Sequence, residues 1–490
     1  MPTSTPTDIL ILSCPLTDTH QPMHAGAILK SIANKAGFSC ATVDLNALTV
    51  KWISTASKRT EQLSENFLDS DTIKSYFLHG SITHQTQKCI DKFTVMVLEI
   101  VITYQPKILA LSVFTDYCRP AVKLISKIVR QHSPYIKIII GGAGIINPDQ
   151  KDSFYHPVAQ PGQISFAEKL LQNNQIDFYI QGDAEHAFLE FLKGNSDFVG
   201  INQPTWQQLT NNDLVALEYP DYSDYNWSLY GEATIGITGS RGCVRQCRFC
   251  NYIDTWKKYT WRTGENIFNE MLYQKQRYNI NFFHFSDALL NGNMAEYQNL
   301  VTLLADYNAS HPDDSFRWSS FLIIKTPAQF DDELWRLTAA SGCEYAWIGL
   351  ETLSEQLRFD MNKKFTNQDL DFCIEKIIKY NIKTIFLMFV GYPTETQEHI
   401  EQSIQWLKDH QHQSQHFTMS LQWTMQLLTG TWIEQNKDVF QIKLTNPTNP
   451  NTWVSPESTL ELRQQRSKLL SDTANSLGYA VWSEDQDFNI

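Results

Sequence analysis

What the sequence lacks narrows its function first. No apolar run is long enough for a membrane. The most apolar stretch, Phe93 to Tyr104, is short and contains Glu99, whereas a spanning helix needs roughly 20 apolar residues. Positive charge is not in excess: Lys+Arg number 40 against Asp+Glu 53, a net charge of −13. An acidic balance repels phosphate backbones, so nucleic acid is not the expected partner. The start has no basic region leading into an apolar core, because Met1 to Asp8 is polar and the first basic residue is Lys30. A cytoplasmic location is the expectation. There is no internal repeat and no strong low-complexity segment. Nor is there a disulfide framework. The nine cysteines are an odd number, and six of them (Cys14, Cys40, Cys89, Cys118, Cys343 and Cys373) stand singly, as small core residues do.

What is present is a globular composition, 42% hydrophobic and 19% charged, over 490 residues. In residues 1–195, apolar runs such as Asp8 to Cys14, Cys40 to Leu45, Lys107 to Phe114, Ile136 to Ile140 and Asp177 to Ile180 alternate with helix-periodic segments. That pattern predicts an open parallel α/β sheet of Rossmann-like type, whose ligands sit beyond the carboxyl ends of the strands. Residues 46–100 read as a mostly helical insertion. Residues 196–230 lack a clear period and read as a linker wrapping over the surface. From 231 to 430 six strand-like runs interleave with helices, which predicts an open or partial β/α barrel, (β/α)6 and TIM-like. Residues 431–490 form a tail, with a helix capped by Ser455, Pro456 in its first position and Gly478 at its end.

The informative segment is Gly236 to Tyr252, GITGSRGCVRQCRFCNY. It places Cys243, Cys247 and Cys250 in C-x3-C-x2-C spacing, just past a strand and a Gly-rich turn. Soft thiolates this close on one loop can converge on a soft metal centre. Three ligands leave one coordination position open, which is what catalysis needs. Zinc would want a fourth ligand, and the nearest formal candidate is His284 on the next strand.

This segment resembles the signature of the radical S-adenosylmethionine (SAM) superfamily, C-x3-C-x-aromatic-C, with Phe249 in the aromatic position. The resemblance extends over about 231–430, through Phe285-Ser286-Asp287, Ile348-Gly349-Leu350-Glu351 and Val390-Gly391-Tyr392-Pro393 at successive strand ends. It implies a [4Fe-4S] cluster on the three cysteines whose free iron chelates SAM. One electron then yields methionine and a 5′-deoxyadenosyl radical that takes a hydrogen from the substrate. By the same carry-over, Phe249 lies near the adenine, Glu351 and Asp287 border SAM, and the Gly391 turn lets backbone approach the adenosine. A flavodoxin- or ferredoxin-type electron donor is implied. Catalytic residues acting on the substrate, a small molecule or a peptide, are not identified.

The α/β region ahead of this core resembles the cobalamin (B12)-binding domain of the B12-dependent members. Ser112, Gly141 and Gly142 would then border the cobalamin nucleotide tail. The segment Asp18-Thr19-His20-Gln21-Pro22-Met23 begins an Asp-x-His-x-x-Gly pattern but has Met at the Gly position, so His20 or His24 as cobalt ligand, or no His ligand, are both open. The implied reaction is methylation of an unactivated carbon, with radical cyclisation or rearrangement behind it. A methylthiotransferase would need a second cluster from three further cysteines. A non-catalytic cluster or cobalamin sensor is the remaining reading. Tyr252, Trp256, Tyr259 and Trp261 line a pocket or pack on the first barrel helix. Lys363-Lys364 reads as a solvated turn.

Overall fold

The computed structural model describes residues 6–15, 20–57, 84–147, 164–446 and 449–482. Asp18 and Thr19 lie outside them. The chain divides into two compact units: Ala216–Ala233 belongs with the N-terminal one, and Thr234–Ile490 forms the bulk of the other.

The first unit is built on strands β1 (Ile9–Ser13), β2 (Cys40–Val43), β3 (Ile108–Ser112), β4 (Lys137–Gly141) and β5 (Phe178–Ile180). They pair in the order β2-β1-β3-β4-β5, all parallel. Helices cover both faces, so a strand such as β1 has no polar side. Its Ile9 and Ile11 join Ile28, Ile32 and Phe188 on one face, while Leu10 and Leu12 join Phe93, Val97 and Val122 on the other. Within the expected helical insertion, Leu45–Ser57 and His84–Tyr104 are helices. The order reverses between β1 and β3, the point at which such sheets open a ligand crevice.

The end of the expected linker is not a surface strap. Tyr222, Tyr225 and Tyr230 are buried. Tyr222 Oη meets His24 Nδ1 at 2.6 Å, Tyr225 Oη donates to Met23 O at 3.1 Å, and Tyr230 Oη donates to Asp44 at 2.6 Å. Tyrosine can be buried where its hydroxyl finds a partner; composition alone hides that.

The second unit carries β6 (Thr234–Ile237), a short ribbon of β7 (Ser240–Arg241) and β8 (Thr260–Trp261), then β9 (Phe282–Phe285), β10 (Arg317–Leu322), β11 (Cys343–Glu351), β12 (Lys383–Val390) and β13 (Phe417–Thr424). The six expected barrel strands run parallel in chain order from β6 to β13. A seventh, β14 (Ala480–Val481), comes from the tail and pairs parallel with Thr418 and Met419. The tail helix is Leu460–Ser476, with Thr459 as its cap: the Thr459 hydroxyl accepts from Leu462 N–H at 3.2 Å. Ser455 is instead closed in a tight turn with Ser458. The cap therefore lies four residues later than expected, because the turn takes up the Ser-Pro pair. β12 alternates strictly in burial. Met388 and Val390 line a small pocket with Ile400, Ser403 and Leu470 of the covering helices, and the half-buried Ile385, Leu387 and Phe389 alternate with them.

Candidate functional site

The cysteine loop leaves the carboxyl end of β6 and is pinched at its base by the antiparallel β7–β8 ribbon, Ser240 opposite Trp261 and Arg241 opposite Thr260. Asp287, just past β9, holds that base. Its carboxylate accepts from Gly239 N–H at 2.8 Å and from the Ser240 hydroxyl at 2.7 Å, and it is only 2% exposed. Burial raises its pKa to about 7 against the pull of these two donors. Asp287 therefore anchors the loop.

Three further segments tie the loop down. Arg245 donates to Ile324 O at 3.2 Å, past the end of β10. Arg248 N–H donates to Met361 O at 3.1 Å, its guanidinium to Asp360 O at 2.9 Å, and Asn362 Nδ2 to Gln246 O at 2.6 Å. Arg248 also lies 4.5 Å from the centre of the Trp432 ring. Phe249 meets Phe389 edge to face at 4.9 Å, on the inward side of β12.

Cys243, Cys247 and Cys250 are half-buried free thiols. Backbone N–H groups of Arg245 and Tyr252 donate to the sulfurs of Cys243 and Cys250 at 3.4 Å. Burial pushes all three thiols up, Cys247 to about 11, and Lys363 pulls all three back down. Each thiol also feels at least one of the others, so they share one region. Among the described residues no trio of His, Cys, Asp or Glu already stands at metal-ligand spacing. The donor chemistry nonetheless suits a soft metal: three thiols, backbone N–H donors and a nearby ammonium that favours thiolate. His284 is engaged elsewhere, with Nδ1 2.9 Å from Ser319 Oγ.

The radical SAM superfamily model matches residues 237–407, beginning at the last residue of β6. These residues are a radical SAM domain. At 171 positions the match covers about a third of the 490-residue chain. An uncharacterised methyltransferase of Pyrococcus horikoshii is 20% identical over 250 residues, 48% of this chain and 53% of that one. The chain spans about half the length of the curated relatives it matches. Two solved structures have a similar fold. One is the radical SAM methyltransferase TsrM of Kitasatospora setae, with TM-score 0.61 and 15% identity over 94% of this chain and 83% of that one. The other is the cobalamin-dependent radical SAM enzyme OxsB, with TM-score 0.65 and 11% identity over 95% and 66%.

Within the radical SAM domain, Glu351 ends β11 at φ +67 and pairs with Lys363 at 2.7 Å. Lys363 is 8% exposed. Its reading as a solvated turn is therefore overturned: the turn from Asp360 to Asn362 is stitched to the cysteine loop and carries Lys363 inward. Gly391, at φ +92, has no room for a side chain. A Cβ there would lie 1.9 Å from Arg463 Cδ. The close approach is to the tail helix. Arg463 stacks on Trp453 at 4.0 Å, and Arg466 reaches Glu395 Oε1 at 3.2 Å. No local pattern in the sequence signalled Lys363, Arg463 or Arg466.

The aromatic run after the cysteines packs on itself. Tyr259 stacks on Trp261 at 5.6 Å, and Tyr252 tilts against Trp256 at 6.4 Å. In the first unit, Ser112 and Gly141 are register partners at adjoining strand ends, with Gly142 next in the chain. Gly142 has φ +112, and a Cβ there would lie 2.5 Å from Val113 O. Cys14 and Cys118 are fully buried, and Cys40 lies in the core on the opposite face. Cys118 lies close enough to act on Cys14, and Cys40 stands apart from both. The Cys89 side chain lies outside the described ones.

Proposed function

We propose that this chain is a cobalamin-dependent radical SAM enzyme that methylates an unactivated carbon of a small-molecule or peptide substrate. The observation that carries the reading is the three-thiol loop at the carboxyl end of the first strand of a radical SAM domain. Cys243, Cys247 and Cys250 would hold a [4Fe-4S] cluster, with Arg245 and Tyr252 N–H groups orienting two of the sulfurs. Phe249 and Glu351 would border SAM. Ser112, Gly141 and Gly142 would border cobalamin at the crevice of the β2-β1-β3-β4-β5 sheet, an order that opens at those strand ends. The solved TsrM and OxsB proteins are described with cobalamin, and their likeness in fold supports the same assignment. When bound, the cluster supplies the electron that cleaves SAM, and cobalamin supplies the methyl carrier. The chain's own residues hold the groups in place and keep water from them. Asp287 fixes the loop base. The expected electron donor is a flavodoxin or ferredoxin, and the expected location is the cytoplasm. No helix among the described residues is long and apolar enough to cross a membrane.

The test is anaerobic reconstitution followed by analysis of iron, sulfide and corrinoid, and chromatography for 5′-deoxyadenosine after reduction with SAM. About four irons per chain and one corrinoid are expected. An intact, reduced cluster that never yields 5′-deoxyadenosine would refute the radical chemistry. About eight irons would favour the methylthiotransferase alternative. Full biological activity in a chain with all three loop cysteines changed to alanine would leave only the sensor reading.

A further inference from the structure

One charged pair beside the cysteine loop is built at evident cost. Lys363 donates to Glu351 Oε1 at 2.7 Å and to Gly349 O at 2.9 Å. Taking two ions out of water opposes their attraction, so a buried pair is weak evidence for stability. Two backbone features accommodate it. Glu351 sits at φ +67, where a side chain is strained, at a register shift between β11 and β12. Gly349 has no room for a side chain: a Cβ would lie 2.6 Å from Glu351 Oε1 and 2.9 Å from Lys363 Nζ. The turn that delivers Lys363 is bonded directly to the loop between Cys243 and Cys250, through Met361 O, Asp360 O and Asn362 Nδ2. Lys363 acts on all three thiols, whereas Glu351 acts in the opposite sense on Cys247 and Cys250. Arg245 and Lys325 act in the same sense as Lys363 on Cys243.

We propose that Lys363 is a positioning residue that sets the reduction potential of the cluster held by Cys243, Cys247 and Cys250, its ammonium raising the potential and the Glu351 carboxylate lowering it. This rests on the cluster assignment above. Reduction adds one electron, taken from an external low-potential donor, and breaks no bond. The added negative charge is stabilised beside a cation and opposed beside an anion.

The full chain is reconstituted anaerobically as wild type, Lys363→Met, Lys363→Arg, Glu351→Gln and the double variant Lys363→Met/Glu351→Gln. Iron and sulfide are counted, and the cluster is titrated with dithionite without SAM, followed by electron paramagnetic resonance. Lys363→Met should lower the reduced-to-oxidised ratio at least tenfold at a fixed potential, a shift of about 59 mV for one electron. Glu351→Gln should shift it the opposite way, and Lys363→Arg should stay near wild type. A role in folding alone gives no such opposition of sign. The double variant leaves no unpaired buried charge, so it remains informative if Lys363→Met loads poorly, and its potential should return toward wild type. Loaded clusters whose potentials do not move, or move the same way in both single variants, overturn the inference and leave the cluster assignment standing. A wild-type chain that takes up no cluster overturns both.

Discussion

Asp287 offers a test in which both the size and the sign of the effect come from geometry. Replacing it with alanine removes the acceptor of Gly239 N–H at 2.8 Å and of the Ser240 hydroxyl at 2.7 Å. Ser240 keeps a second acceptor in Leu289 O at 3.1 Å, but Gly239 N–H is left inside the protein. Hydrogen bonds to a charged group are worth about 1.5–3 kcal/mol each, so Asp287→Ala should cost about 3 kcal/mol. Asparagine behaves differently. It keeps one acceptor for Gly239 and can donate to Ser240, which still donates to Leu289. It also removes the titration. Burial holds the folded pKa at about 7, above the usual aspartate value of 3.8. The folded state therefore binds the proton more tightly, and its stability falls as pH rises from the unfolded pKa through 7. At 1.36 kcal/mol per unit, wild type should lose about 2 kcal/mol relative to Asp287→Asn between pH 5 and 7. The assay is urea unfolding of both proteins at several pH values, followed by tryptophan fluorescence. A difference that is flat with pH, or an alanine variant with an unchanged midpoint, would refute the reasoning.

Gly391→Ala places a Cβ 1.9 Å from Arg463 Cδ at φ +92, so it should destabilise the second unit by about 2 kcal/mol in thermal unfolding, with partial rescue by Arg463→Ala. Arg466→Met strands Glu395, which burial already raises to about 7 and Arg466 lowers. The expected loss is about 3 kcal/mol at pH 8, smaller at pH 5 where Glu395 is neutral, and mostly recovered in Glu395→Gln/Arg466→Met. Gly142→Ala meets Val113 O at 2.5 Å, so corrinoid content after reconstitution should fall below wild type while iron content holds.

Much of the fold was legible because its strands carry their own pattern. β1 is buried at every position and apolar from Ile9 to Leu12, as suits a strand covered on both faces, and β12 alternates with period two. The tail was harder. Ala480–Val481 is too short to announce a strand and becomes one only because β13 leaves an open edge beside it. The tyrosines of 222–230 looked like surface residues until His24, Met23 and Asp44 supplied partners for their hydroxyls.

By itself the sequence determined the chemistry of the loop: three thiols, their spacing, the aromatic residue among them and the strand that leads into them. Those are local properties, set within a few residues along one backbone. Only the tertiary structure decided what surrounds the thiols. Lys363 lies more than a hundred residues from Cys250 and reads as a surface turn, yet it is 8% exposed and acts on all three thiols. Asp287 became a loop anchor, and Gly391 the seat of Arg463, because strands distant in sequence end side by side. Electrostatic effects depend on distance through the folded interior, which no spacing along the chain records.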